Sequence, residues 1–148
     1  MSYTERFSEV HIPLYVLHPI SVNAGPEAFT TWVDMANYHR AVVLINTGVM
    51  AGGSTLNANL HQATDATGAG VKYIYGKWIN QLSQAGGDSD SLVAIELKTE
   101  ELDVEGGFHF IALGYTVANA AILLQISIIG IIGRYEPGPQ TGFAEVVG

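Results

Sequence analysis

The chain alternates. From Thr55 to His61 every even position is apolar (Leu56, Ala58, Leu60) and every odd one polar (Thr55, Asn57, Asn59, His61). A period of two marks a strand with one buried face. Ile122–Gly133 carries the same period with more apolar weight: Ile122, Leu124, Ile126, Ile128, Gly130 and Ile132 fall on one face, and Gln125 and Ser127 interrupt the other. One wholly apolar face and one mixed face describe a strand covered on both sides. Such a stretch would span roughly 40 Å, long for a single strand, so Gly130 or Gly133 is expected to bend it or mark a bulge.

Further strands are predicted at Val42–Met50, Val71–Trp78, Leu92–Lys98 and Phe108–Val117, with weaker ones near Leu14–Leu17, Ile20–Asn23 and Phe29–Val33. Between them lie turn-forming stretches: Asn23-Ala-Gly-Pro26, Gly52-Gly53, Thr64–Gly68, Gln84–Asp90, Glu105-Gly-Gly107 and Pro137-Gly-Pro139. Glycine supplies positive φ there, and Asp and Asn bond their own backbone. Strands at this spacing indicate an all-β fold, an antiparallel, jelly-roll-like β-sandwich or a barrel. Helix is scarce. Asp34–Arg40 could form one short turn, and Thr99–Leu102 reads as a capped first turn. The whole chain, 1–148, is expected to be a single domain: an extended N-terminal arm (1–25), a sandwich core (26–136) and a C-terminal tail (137–148) of linker composition that orders on a neighbour or stays free.

Size and composition sharpen this. A chain of 148 residues buries roughly 68–70% of its unfolded surface and needs no staple. It has no cysteine, which excludes disulfides and thiolate chemistry. Charged residues make up 14%, against about 25% in average domains; a surface this neutral is expected to meet partners. The formal net charge is −8, and Arg6, Arg40, Lys72, Lys77, Lys98 and Arg134 are scattered. Neither nucleic acid nor an anionic membrane is an expected partner. The N-terminal sequence lacks a basic region followed by an apolar one, so no secretory leader is expected. Val117–Gly133 is apolar enough to suggest a membrane span, but Asn119, Gln125, Ser127 and its β-branched period favour strand.

Candidate chemistry is thin. The histidines are His11, His18, His39, His61 and His109, and none pairs with another at metal-binding spacing. A metal site would have to join separate segments, with Asp34, Asp65 or Asp103 as further ligands; no metal or cofactor is expected. Asp88-Ser-Asp90 resembles half a calcium loop without the remaining ligands. No nucleophile elbow is present, Gly52-Gly-Ser54 and Gly68-Ala-Gly70 precede strands rather than helices, and Glu100, Glu101 and Asp103 read as a charged turn. Enzymatic function and catalytic residues are therefore not expected. Trp32, Tyr38, Tyr73, Tyr75 and Trp78 could form an aromatic sugar-binding face, or be ordinary strand residues.

Several stretches together resemble small head-associated virion proteins of tailed bacteriophages. They are Trp32-Val-Asp-Met-Ala-Asn-Tyr-His-Arg40, the apolar Ala41–Asn46, Gln62-Ala-Thr-Asp-Ala-Thr-Gly-Ala-Gly-Val-Lys72, Ile95-Glu-Leu97 and Glu101-Leu-Asp-Val-Glu-Gly-Gly-Phe108. The resemblance spans about residues 28–135, and none of its motifs is catalytic. It implies a non-enzymatic capsid decoration or cement protein, made in the host cytoplasm and bound to the capsid exterior. The partner would be the major capsid protein, and the chain itself a homo-oligomer, a trimer. Tyr3, Phe7, Tyr15 and Phe143, in the two arms, are the expected interface residues. The alternatives are a neck or tail structural protein and a carbohydrate-binding β-sandwich.

Overall fold

The computed structural model describes residues 6–133 and 142–147. A single-turn helix, α1 (Phe7–Val10), precedes ten strands: β1 (His11–Val22), β2 (Ala28–Phe29), β3 (Val33–Asp34), β4 (Tyr38–Met50), β5 (Thr55–Ala63), β6 (Lys72–Trp78), β7 (Leu82–Ser83), β8 (Leu92–Lys98), β9 (Phe110–Ala118) and β10 (Ile122–Gly133). A 3-10 turn occupies Thr99–Glu101.

The strands form two antiparallel sheets. One runs β1-β10-β4-β8; the other runs β2-β9-β5-β6, with β3 also on β9 and β7 on β5. Most successive long strands cross from one sheet to the other, and the first strand lies beside the last. This is the wrapping of a jelly roll, two Greek keys closing on one core. The all-β, antiparallel sandwich expected from the pattern is the fold observed.

Alternation decides which side chains fill the core. On β10, Ile122, Leu124, Ile126 and Ile128 are buried; on β4, Ala41, Val43 and Ile45; on β5, Leu56, Ala58 and Leu60; on β9, Ile111, Leu113 and Val117. The apolar run Val117–Gly133 is thus the end of β9, a turn and β10. Among the described residues, no helix is long and apolar enough to cross a membrane.

Some expectations change. The weak strands at Leu14–Leu17 and Ile20–Asn23 merge into β1, which pairs with β10 from His11↔Ile131 to Val22↔Ile122. Residues 11–22 of the expected N-terminal arm therefore belong to the sandwich, as an edge strand. Pro13 and Pro19 suit that edge, where a missing N–H breaks no ladder. Of the expected tail at 137–148, only residues 142–147 are described. Asp34–Arg40 is not helical: the Asp34 carboxylate accepts the Ala36 N–H at 2.9 Å, the chain reverses, and Tyr38 already pairs with Gly133 of β10. Gly130 marks no bulge. The register shifts of this sheet lie between Pro13 and Tyr15, between Leu17 and Ile20, and at the Ile122 end of β10. Gly130 instead makes room: a Cβ there would stand 2.8 Å from the Tyr38 ring and 3.0 Å from Leu14.

Two of the stretches that carry the resemblance, Gln62–Lys72 and Glu101–Phe108, meet in space. Gln62 is buried at the end of β5, and its Oε1 accepts the Asp103 N–H at 2.9 Å. Lys72 Nζ lies 2.7 Å from Asp103 Oδ2 and 4.0 Å from the centre of the Phe108 ring. Hydrogen bonds from Lys72 and the Gly106 N–H hold the Asp103 carboxyl below the usual range. These motifs fasten the loop after β5 to the loop before β9.

Candidate functional site

Among the described residues, the outer face of the β2-β9-β5-β6 sheet gathers most of the exposed aromatic rings. Across this face Asn59 of β5 pairs with Gly114 of β9 and Trp78 of β6, and His61 pairs with Ala112 and Tyr73. Small residues of β9 thus leave a floor on one side, and rings stand on the other. Phe29 pairs with Gly114, and its ring reaches to 4.9 Å from His61. Trp32 lies 6.0 Å beyond Phe29, and Tyr73 4.6 Å from His61 on the opposite flank. The line of rings is Trp32, Phe29, His61, Tyr73.

A bulge extends it. Between Asn59 and His61, β6 runs all the way from Trp78 to Tyr73, so three extra residues loop out. Gly76 takes φ 78° there, a conformation that a side chain would resist. Bulges re-aim side chains. Ile74 stays in the core, while Tyr75 stands 92% exposed with its ring 5.7 Å from Trp78 and nearly perpendicular to it. Tyr73 is 62% exposed, Trp78 53% and Phe29 44%.

The loop after β5 braces the far end. Asp65 Oδ1 accepts hydrogen bonds from the Thr67 hydroxyl at 2.6 Å, the Thr67 N–H at 2.8 Å and the Ala69 N–H at 3.1 Å. These bonds push the Asp65 carboxyl pKa down. Trp32 packs on Gly68 of that loop, where a Cβ would come within 2.8 Å of its Nε1.

His61 occupies the centre of the face yet is only 4% exposed. It points outward, as its polar position in the alternation indicates, but Phe29 and Tyr73 cover it. Burial pushes the imidazole pKa down, against weaker upward pulls from Glu27 and the Asn59 backbone. Its Nδ1 and the Asn59 Oδ1 are buried without a well-formed hydrogen bond among the described residues. The Glu27 carboxylate and the His61 ring converge above Gly114, whose missing side chain admits both. A cleft of about 580 Å³, lined in part by Trp78, Ile79, Leu82 and Val93, opens between β6 and β8 beside Trp78.

The other sheet presents a different outer face. Its cross-strand rows read Pro13–Ile129–Val42–Glu96 and Val16–Ser127–Leu44–Ala94, with Leu123 and the exposed Leu92 beyond. Arg40, Glu96 and Lys98 stand at one corner, the polar Gln125–Asn46 row crosses the other half, and Asp90 borders Asn46, Leu123 and Gln125 there. At its β1 side, α1 touches β10 and Gly142 lies against Pro13.

Of the expected sugar-face residues, Trp32, Tyr73, Tyr75 and Trp78 come together. Tyr38 lies in the other sheet against Gly130. Sequence reading does not place Phe29, His61 and Gly114 on this face; for His61, only its even–odd position points outward. Among the expected interface residues, Tyr3 lies outside the described residues. Phe7 is exposed and stacks on His11 with ring centres 4.1 Å apart. Tyr15 packs against the core, where burial and then Tyr115 raise its hydroxyl pKa. Phe143 is half-buried beside Gly142, whose Cβ position lies 2.5 Å from the Pro13 carbonyl oxygen. Asp34 Oδ1 meets His109 Nδ1 at 2.8 Å, but among the described residues no three His, Asp or Glu side chains converge as metal ligands. The Asp88 carboxylate accepts the Ser83 N–H at 2.8 Å, closing its own turn.

No family model and no curated protein matches the chain. Among solved structures, it is similar to chains in structures of infectious bursal disease virus. For the Gt strain the TM-score is 0.42 at 11% identity, covering 86% of this chain and 33% of that one. For the Gx strain it is 0.38 at 12%, covering 86% and 32%. The chain spans about a third of the length of those chains. A likeness this distant carries no argument about function.

Proposed function

We propose that this chain is a non-enzymatic structural protein of a virus particle, a tailed-phage head protein that binds the outer capsid surface and cements adjacent capsomers. The observation that carries the reading is β10. Its sequence is that of a strand covered on both sides, yet the second sheet lies on its inner face alone. Val16, Val42, Leu44 and Ile129 form a half-buried aliphatic patch around it, with Ser127 among them and the Gln125–Asn46 row between the patch and Leu123. An aliphatic patch with few charges beside it suits a protein–protein contact. The partner is the major capsid protein, together with further copies of the chain in a trimer. The jelly roll itself serves capsids, lectins and cupins alike, so it supports the reading without selecting it.

The test is a cryo-electron-microscopy map of particles carrying the chain, with its copies counted against the capsid subunits. Copies comparable to the capsid subunits, seated on the outer shell through the β1-β10-β4-β8 face, are expected. Density confined to the neck or tail would move the protein there and discard cementing. Absence from particles would discard the virion reading altogether.

A further inference from the structure

The aromatic face on the opposite sheet lies apart from the surface assigned to capsid contact, and its chemistry differs. The capsid-facing surface is aliphatic; this one is made of rings with neutral hydrogen-bonding groups set among them. Asn57 and Asn59 stand on the same side of β5 as His61, and Thr116 of β9 lies across from Asn57. Asn59 Oδ1 and His61 Nδ1 lie buried beneath the rings, so the polar groups open to a ligand are Asn57 and Glu27. The nearby cations are already engaged: Lys72 with Asp103 at 2.7 Å and Lys77 with Glu101 at 3.1 Å. Glu27 adds a carboxylate.

We propose that this face binds a neutral oligosaccharide. Pyranose rings stack their C–H faces on Tyr73 and Trp78, with Tyr75 at the rim, and hydroxyls bond to Asn57 and Glu27. The negative face of an aromatic ring attracts C–H edges, and ligand sites combine apolar walls with a few placed polar groups. Charge selects among stacking ligands. A nucleic acid would bring phosphates that need free cations, and here the lysines are paired, a carboxylate is present and the chain's formal net charge is −8. A neutral polyol meets no such penalty. The bulge at Gly76 fits this role: it lifts Tyr75 clear of the sheet and leaves Trp78 at the mouth of the neighbouring cleft.

Both tryptophans of the chain, Trp32 and Trp78, belong to this face, so intrinsic fluorescence reports its occupancy. The full chain would be titrated with hexasaccharides of β-1,4-linked glucose, β-1,4-linked N-acetylglucosamine and α-1,4-linked glucose, with calorimetry in parallel. Saturable binding to at least one is expected, with Kd of about 1 mM or tighter. Tyr73→Ala and Trp78→Ala should each weaken it roughly tenfold or more, the loss that one stacked ring predicts. Both side chains are exposed, and circular dichroism would verify the fold. Val42→Lys, on the other sheet, should leave it unchanged, which separates this proposal from the capsid reading. No saturable binding to any of the three at about 10 mM, or binding indifferent to both aromatic variants, would overturn it. A change in oligomeric mass in Trp78→Ala without a change in sugar binding would assign the face to a second copy and overturn it as well.

Discussion

The side-chain oxygen of Gln62 accepts the backbone N–H of Asp103 across 41 residues of sequence. This bond and the Lys72–Asp103 ion pair join the same two loops, but they differ in burial. Gln62 is buried, whereas Lys72 and Asp103 are both about 40% exposed. Removing one partner of a buried hydrogen bond costs about 1–3 kcal/mol; an exposed ion pair contributes roughly 0–1 kcal/mol. Gln62→Leu should therefore destabilise the fold by about 1–3 kcal/mol in urea unfolding, and Lys72→Ala by about 1 kcal/mol or less. The reverse ranking would refute this account of the clamp.

Gly130 touches the Tyr38 ring where a Cβ would not fit. Overpacking costs about 1–3 kcal/mol, against about 0.5–1 kcal/mol gained by replacing a glycine inside a strand. The clash wins, and Gly130→Ala should lose about 1–2 kcal/mol. Gly25 has nothing within 4 Å of its Cβ position, so Gly25→Ala should stay within about 0.5 kcal/mol. Thermal unfolding of the two variants would decide.

His61 makes stability depend on pH. Its folded pKa is lowered by burial, so the unfolded chain binds the proton more readily. Stability is then fully present above the unfolded value of about 6.5 and declines as pH falls below it. His61→Gln should flatten the Tm profile between about pH 7 and pH 5. A profile equally steep in the variant would show that another group carries the dependence.

The aliphatic face should tolerate charge as a folded monomer and fail as a docking surface. Val42 and Leu44 point away from the core, so Val42→Lys and Leu44→Glu should each change unfolding free energy by no more than about 1 kcal/mol. Both should abolish retention on purified capsids in a sedimentation assay. Retention at the level of the unaltered chain would remove this face from the proposed contact.

Tyr75 and Trp78 are held out by the bulge. Gly76→Val, at φ 78°, should strain it and re-aim Tyr75 with little effect on the core, because Ile74 is anchored on the other side. The Tyr75 ring resonances in nuclear magnetic resonance spectra should move while those of the core isoleucines stay; a global loss of dispersion would contradict it.

What this chain's sequence determines by itself is local. Period-two alternation places Leu92–Lys98 and Ile122–Gly133 as strands with their ends, because a side chain's face depends only on its parity. Turn residues separate the strands for the same local reason. The pairing of β1 with β10, first strand with last, is invisible locally, since its partners are 100 to 120 residues apart. So is the fate of Tyr38, whose exposure depends on a distant glycine. The aromatic face shows the division most clearly. Tyr73, Tyr75 and Trp78 are legible as strand aromatics, but parity alone would leave His61 in solvent. Only the folded chain, bringing Phe29 from β2 and Tyr73 from β6 over it, buries the ring and turns scattered aromatics into one surface.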